Sequence, residues 1–428
     1  MHGLMERAYW PQDKLREYQN KKLRKIVRYA YDHVPFYHYR FRKEGINPNE
    51  IRTIADLTKL SILRKDDVRK NLGQIISRKY DLARLKIVRT SGSTGKPLHF
   101  YISKKEDEYR KAKHLRANIS VGQRLRDKWV LVTSPLHAGE TTKLQQWLGI
   151  YCPTPVLVFH DVGTQISIIE ELKPDILDGY SSSLWLLAKE MKKRGAETIK
   201  PRFIIGGAEL IGDPSRQFVE KAFDAPVYDQ YACDEMERIA WQCKEKEEYH
   251  VDADSIVVQF VDKNGEEVAP GERGEIVCTS LFNYAIPFIR YAVDDIGIPS
   301  NEKCRCGRTL PLMKLVEGRK DSFLILSDGQ VLSPLGFDAA MCLFKFHSNI
   351  DQYRIAQRKI DLFEFLIKLN SNGVDEEAVE KELLTHLRRT LNISTDKATF
   401  DVKFVENIPL DKTGKLRKVV SELSRSLE

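Results

Sequence analysis

The chain has no apolar run approaching the roughly 18 to 20 residues that a membrane span requires. Its N-terminus also lacks the short apolar core of a secretion signal. A membrane or exported protein is therefore not expected. Cysteine is sparse, with seven in 428 residues, and the odd count suits reduced thiols in a cytoplasmic compartment better than a disulfide framework. Repeats and low-complexity linkers are missing, which excludes solenoids and disordered arrays. An excess of one charge is missing too: 69 Lys and Arg face 61 Asp and Glu, for a net charge of +8. Eight of those cations lie within residues 1 to 30 against three acids, a pattern read as the solvated face of a helix. Neither nucleic acid nor a membrane surface is expected as a partner.

What is present is an ordinary globular composition, 42% hydrophobic and 30% charged, in a chain long enough for one large domain and a smaller one. Residues 13 to 72 read as helices separated by loops, with Pro35 breaking the run "RKIVRYAYDHVPFYHYRF". From about residue 83, short apolar runs such as "KWVLVTS", "TPVLVFH", "PDILDGY", "PRFIIGGA" and "APVYDQY" read as buried strands. Helical stretches such as "SSSLWLLAKEMKKR" and "GDPSRQFVEKAF" alternate with them, which predicts βαβ units and a mostly parallel sheet. After residue 248 the pattern turns β-rich, with a "DKNG" hairpin signal between "SIVVQFVD" and "GEIVCTSL". Beyond "EGRKD" a tail reads as strand, helix and strand with a basic glycine loop. The expected fold class is α/β: a large N-terminal domain, residues 1–318, with mixed, mostly parallel sheets, and a small α+β domain at 319–428. Within the first, residues 1–80 form a helical start, 81–247 an α/β core and 248–318 a β-rich part.

Two clusters carry chemistry. "TSGSTGKP", residues 90 to 97, offers glycines that let backbone N–H groups face an anion and hydroxyls that add donors. It is not a P-loop: Gly92 and Gly95 are too close, and Lys96 is followed by Pro97 rather than a hydroxyl. Cys243, His250, Cys304 and Cys306 supply three thiols and an imidazole, a ligand set for a closed, structural tetrahedral zinc site. The Cys-x-Cys spacing is tighter than usual, and the alternative is two unrelated loops with reduced thiols.

"TSGSTGKP" resembles the phosphate-binding signature of the adenylate-forming superfamily, which includes acyl-CoA synthetases, nonribosomal-peptide adenylation domains and luciferases. Further ordered motifs resemble that family. "IIGGAEL" resembles its adenine-facing turn, with Gly207, Ala208 and Glu209 at the matching positions. "YDQYACDE" brings Asp229, Gln230 and Tyr231 to the nucleotide and Glu235 to magnesium. In "IRYAVDDIG", Asp295 matches the acid that binds the ribose hydroxyls. "EGRKD" supplies Arg319 near ribose and phosphate, and Asp321 at a hinge. "PLDKTGKLRK" places Lys415 as the catalytic lysine on a mobile C-terminal lid. The N-terminal aromatic run and the length resemble the phenylacetate–CoA ligase branch, with its capsule-biosynthesis-type and deazaflavin-coenzyme adenylylating relatives. Some members of that branch carry zinc at the cysteine–histidine set. The chain departs from the pattern at Ala232, Asp234, Val293 and Asp294, which replace the usual Gly, Thr, Thr and Gly.

The resemblance implies adenylation of a carboxylic acid by ATP, with Thr90, Ser91, Gly92, Ser93, Thr94, Gly95 and Lys96 holding phosphates. Thioester formation with CoA and release of AMP would follow. Lys415 and magnesium on Glu235 would neutralise charge that concentrates in the transition state. The segments containing His137, Trp147, Tyr180 and Trp185 are expected to line the acyl pocket, which allows an aryl or similar flat acid. A homodimer is compatible with this reading. Two alternatives stay open: adenylation with a non-CoA acceptor (hydroxyl, amine, sugar or carrier protein), or a zinc-stabilised binding protein with a degenerate nucleotide site.

Overall fold

A computed structural model describes residues 1–90, 98–137, 141–195, 198–209, 211–246, 248–319, 324–328, 331–332, 334–370, 373–394, 397–411 and 415–423. It divides into two compact units, Met1–Gln123 with Gln230–Val316, and Arg124–Asp229 with Glu317–Glu428.

In the first unit, helix Gln12–His33 buries Leu15, Leu23, Ile26, Val27 and Ala30 on one face and leaves its basic residues on the other. The solvated-face reading of the N-terminal charge is what the helix shows. Pro35 does break the run: Val34 is extended, as the residue before a proline tends to be, and Pro35 opens the next helix, Pro35–Lys43. Strands Lys86–Arg89 and His99–Ile102 pair antiparallel. Helix Lys104–Val121 starts on a Ser103/Glu106 capping box and ends at Gly122 in the left-handed conformation. The β-rich part builds an antiparallel array in which Ile256–Val261 pairs with Gly274–Ser280 across the expected "DKNG" turn, and Gly274–Ser280 pairs in turn with Tyr291–Ser300. Leu23, Ile26 and Val27 share one core with Ile256, Ile276 and Phe288.

In the second unit, strands Pro153–Leu157, Trp129–Thr133, Ile176–Tyr180 and Phe203–Gly207 lie parallel in that spatial order. Helices Val162–Leu172, Ser181–Arg194 and Asp213–Phe223 supply Ile166, Leu184, Leu187, Val219 and Phe223 to the core with Val130, Val132, Leu177 and Ile204. This is the expected βαβ alternation. Two of the strands end on residues singled out above, Tyr180 and Gly207. In open parallel sheets the carboxyl ends of strands are where ligands bind.

The tail differs from its one-strand-then-helix reading. "YRIAQRKIDLFEFLIKLN" is a hairpin, Ile350–Lys359 with Leu362–Leu369, closed by Ile360 and Asp361 rather than by glycine or asparagine. The sheet runs in the order Thr399–Phe404, Leu362–Leu369, Ile350–Lys359, Val419–Ser421. Phe363, Phe365 and Ile367, at strand spacing, meet Val379, Leu383 and Leu387, at helix spacing. Of the cysteines read as core, Cys278 is buried, whereas Cys152 and Cys233 are only half-buried. The side chain of Cys342 lies outside the described residues. No described helix is long and apolar enough to cross a membrane.

Candidate active site

Ser91, Gly92, Ser93, Thr94, Gly95 and Lys96 lie outside the described residues. Their flanks are fixed: the Thr90 N–H donates to the Leu98 carbonyl (2.9 Å), and the Leu98 N–H donates to Thr90 Oγ1 (2.9 Å). Thr90 is thus a clasp at the neck of the loop.

In the first unit, the Tyr231 hydroxyl donates to Asp295 Oδ2 at 2.6 Å. Burial and then the Asp295 charge push that phenol well above its ordinary pKa, so it stays a donor. Glu235 is only 3% exposed. It accepts a hydrogen bond from the Tyr291 hydroxyl (2.6 Å) and faces the Lys65 ammonium at 3.7 Å. Burial raises its carboxyl, but Lys65 and then Tyr291 more than offset this and leave it below the usual range. Gln230 donates to Asn118 (2.9 Å) from a buried position. The Asp234 carbonyl accepts from Arg110 (2.7 Å), and Ala232 sits at a bulge against Arg238. Asp294 has φ of 65°, the left-handed backbone that glycine adopts freely and aspartate tolerates. That is a physical reason for the glycine that the resemblance expects there. Val293 is buried beside it. Arg319 closes strand Leu312–Arg319, and its side chain lies outside the description.

In the second unit, Gly207 ends its strand and Ala208 turns left-handed at φ 64°. The turn delivers Glu209 to the N-terminus of helix Ser181–Arg194, where its carboxylate accepts the Ser182 N–H at 2.9 Å. Burial raises the Glu209 carboxyl; Ser182, and then Lys415 and Lys418, only partly offset this. Lys415 Nζ lies 5.3 Å from the centre of the Tyr180 ring. Its loop is tied off by Asp411, which receives the Lys415 N–H (3.1 Å) and donates its own N–H to the Lys415 carbonyl (2.9 Å). The Tyr180 hydroxyl meets His137 Nδ1 (3.1 Å) and Ser134 Oγ (3.3 Å). Asp229 is buried at the strand leading to Gln230.

Trp185 is 6% exposed, packed at a tilt against Phe218, edge-on against His347 and covered by Lys418. Trp147 is 80% exposed, which corrects its reading as a lining aromatic. Sequence reasoning missed Lys65, Tyr291 and Lys418. Tyr291 and Lys418 stood inside quoted motifs, but nothing local marked Lys65.

The ligand atoms of Cys243, His250, Cys304 and Cys306 all lie within 4.8 Å of one another. Cys243 and Cys304 sulfurs are 3.5 Å apart, and Cys306 Sγ is 3.3 Å from His250 Nε2. Burial and then Arg308 lower the imidazole to about 4, keeping it neutral and able to ligate. Three thiols and one neutral imidazole at these separations fit a tetrahedral ion with no open position.

No family model matches the chain. Its fold is that of the AMP-forming acid–CoA ligases. 2-Hydroxyisobutyryl-CoA ligase, solved in the postadenylation state, superposes with a TM-score of 0.79 over 99% of this chain and 93% of its own, at 19% identity. In sequence, the chain is 25% identical to phenylacetate-coenzyme A ligase of Thermus thermophilus, over 96% of this chain and 97% of the relative. It is also 25% identical to Protein CapK of Staphylococcus aureus, over 95% and 89%. Over nearly its whole length the chain is thus similar to the phenylacetate–CoA ligases and to CapK.

Proposed function

We propose that the protein is an ATP-dependent acid–CoA ligase that forms an acyl-adenylate and then a thioester. The observation that carries the reading is the seat of Lys415, a cation from the tail held over Tyr180 and facing Glu209 where two parallel strands end. A carboxylate is a poor acyl donor until its oxygen is turned into a leaving group. Attack of that oxygen on the α-phosphorus of ATP forms the new P–O bond, breaks the α–β bridge and releases pyrophosphate. Anion meets anion in that step, so a fixed ammonium helps most where charge is greatest.

In this reading Lys415 stabilises the transferring phosphate, and the Gly207–Glu209 turn with Asp229, Gln230 and Tyr231 receives the adenine. Asp295 and Arg319 hold the ribose, and the loop from Thr90 to Lys96 holds the outer phosphates. Tyr180, His137 and Trp185 bound the acyl group. Glu235, ionised and with one oxygen committed to Tyr291, suits magnesium, which neutralises phosphate charge when bound. Tail 319–428 acts as a lid and CoA is the acceptor; Asp321, the expected hinge, lies outside the described residues. Cys243, His250, Cys304 and Cys306 hold structural zinc.

The test is acid-dependent pyrophosphate release with ATP and magnesium across aryl and short acyl acids, with and without CoA. Release that needs an acid and ends in acyl-CoA supports the ligase. Acid-dependent release without CoA consumption points to another acceptor, and no release with any acid rejects adenylation. Metal analysis of protein purified without chelator should give one zinc per chain, lost in Cys304→Ser with Cys306→Ser.

A further inference from the structure

The tail carries a buried acid that the proposed chemistry does not use. Asp338, on helix Pro334–Leu343, is 8% exposed. Its two oxygens take three donors: Ser215 Oγ at 2.8 Å, Lys418 Nζ at 2.7 Å and the Tyr353 hydroxyl at 3.3 Å. Ser215 belongs to helix Asp213–Phe223 of the α/β layer, and Gly212 caps that helix. A Cβ on Gly212 would stand 2.7 Å from Asp338 Oδ2, so only glycine lets the carboxylate reach this helix N-terminus. The helix end favours an anion there.

Lys418 follows Lys415 by three residues. Its ammonium lies 5.4 Å from the centres of both the Trp185 and Tyr353 rings, while Lys415 lies over Tyr180. Tyr180 ends a strand and Trp185 lies in the first turns of the helix that follows. Two lysines of one loop therefore land on one strand–helix junction, the second tied to a carboxylate that is itself seated on the neighbouring helix. A hydrogen-bonded ion pair of this kind contributes less to overall stability than to fixing one arrangement over others.

We infer that Asp338 is a positioning residue which, through Lys418, holds Lys415 in its adenylating seat and so sets the balance between the two half-reactions. The inference rests on the ligase reading above for its catalytic consequence, but the latch itself can be tested without it. Asp338→Asn, Lys418→Met and Ser215→Ala would be compared with wild type in two assays: acid-dependent ATP–pyrophosphate exchange, and conversion of synthetic acyl-adenylate to acyl-CoA. Asp338→Asn and Lys418→Met should lower exchange by about tenfold and change thioester formation by less than about twofold. Ser215→Ala should do the same more weakly, and Lys418→Arg should restore most of the loss. Equal losses in both half-reactions, or full exchange in a folded Asp338→Asn protein, would overturn the latch.

Hydrogen exchange supplies the arm that does not depend on catalysis. Backbone amides from Lys415 to Val420 should exchange about tenfold faster in Asp338→Asn, with the Leu362–Leu369 strand unchanged. Unchanged exchange there refutes the latch. Wild type that shows no pyrophosphate exchange, yet loses protection in Asp338→Asn, refutes the ligase reading alone.

Discussion

Each unit buries an acid against basic partners, but the two sites are built differently. In the first unit, Arg116, Lys113, Asp252 and Asp254 have fully buried side chains. Arg116 meets Asp254 at 2.8 Å and the Leu4 carbonyl at 3.1 Å, Arg7 meets Asp254 at 2.7 Å, and Trp241 donates to Asp252 at 2.7 Å. Burial works against the Asp254 carboxylate, and Arg116 with Arg7 more than offsets it. In the second unit, Lys418 keeps partial contact with water, while its partner Asp338 is buried. Charges with no route to solvent can only be kept paired. A pair with one member partly in water can open and close. The first arrangement suits a scaffold and the second a moving part.

The sharpest way to break this contrast is Asp254→Ala, which takes the carboxylate from Arg7 and leaves Arg116 with Asp252 alone. It should cost ~3–5 kcal/mol in urea unfolding; a loss below about 1 kcal/mol would show that the network is not a scaffold. Lys415→Ala should instead spare stability and remove ~2.7–4 kcal/mol of transition-state stabilisation, read as lost pyrophosphate exchange at an unchanged melting temperature. A parallel fall in melting temperature would make Lys415 part of the framework.

For the metal-free protein, His250 adds a pH signature to the first unit. Its folded-state pKa, about 4, lies below the ordinary 6.5, so the unfolded chain binds the extra proton more readily. The stabilisation, roughly 3 kcal/mol, should be fully present above pH 6.5, decline as pH falls and be gone below about pH 4. His250→Gln should flatten that slope; an unchanged slope would assign the acid sensitivity elsewhere. The smallest effect is expected at Trp147, whose exposed ring should allow Trp147→Ser within about 0.5 kcal/mol of wild type.

Much of this was legible in the residues, and the gaps have physical causes. The parallel strands announce themselves as short apolar runs because both faces are covered. The cysteine–histidine cluster was readable by type, since three thiols and a histidine have few other reasons to gather. The buried ion network was not. Helix Lys104–Val121 carries Arg110, Lys113 and Arg116 at three-residue spacing, which reads as a solvated charged face, and the acids it needs lie far along the chain. The tail hairpin was missed because Ile360 and Asp361 lack the glycine that marks a two-residue hairpin turn. Lys65 pairs with Glu235 from a short helix with no motif of its own.

The first unit is assembled from two separated stretches of chain, and this bears on how it is made. On the ribosome, helix Gln12–His33 emerges with Leu23, Ile26 and Val27 only partly covered by Tyr37, Phe41 and Leu57, because Ile256, Ile276 and Phe288 have yet to be translated. The intervening stretch from Arg124 to Asp229 is roughly 100 residues, about 5 to 20 seconds of synthesis. Throughout that interval part of the nascent helix's greasy stripe faces water, a window in which the chain can clump before its partner strands arrive.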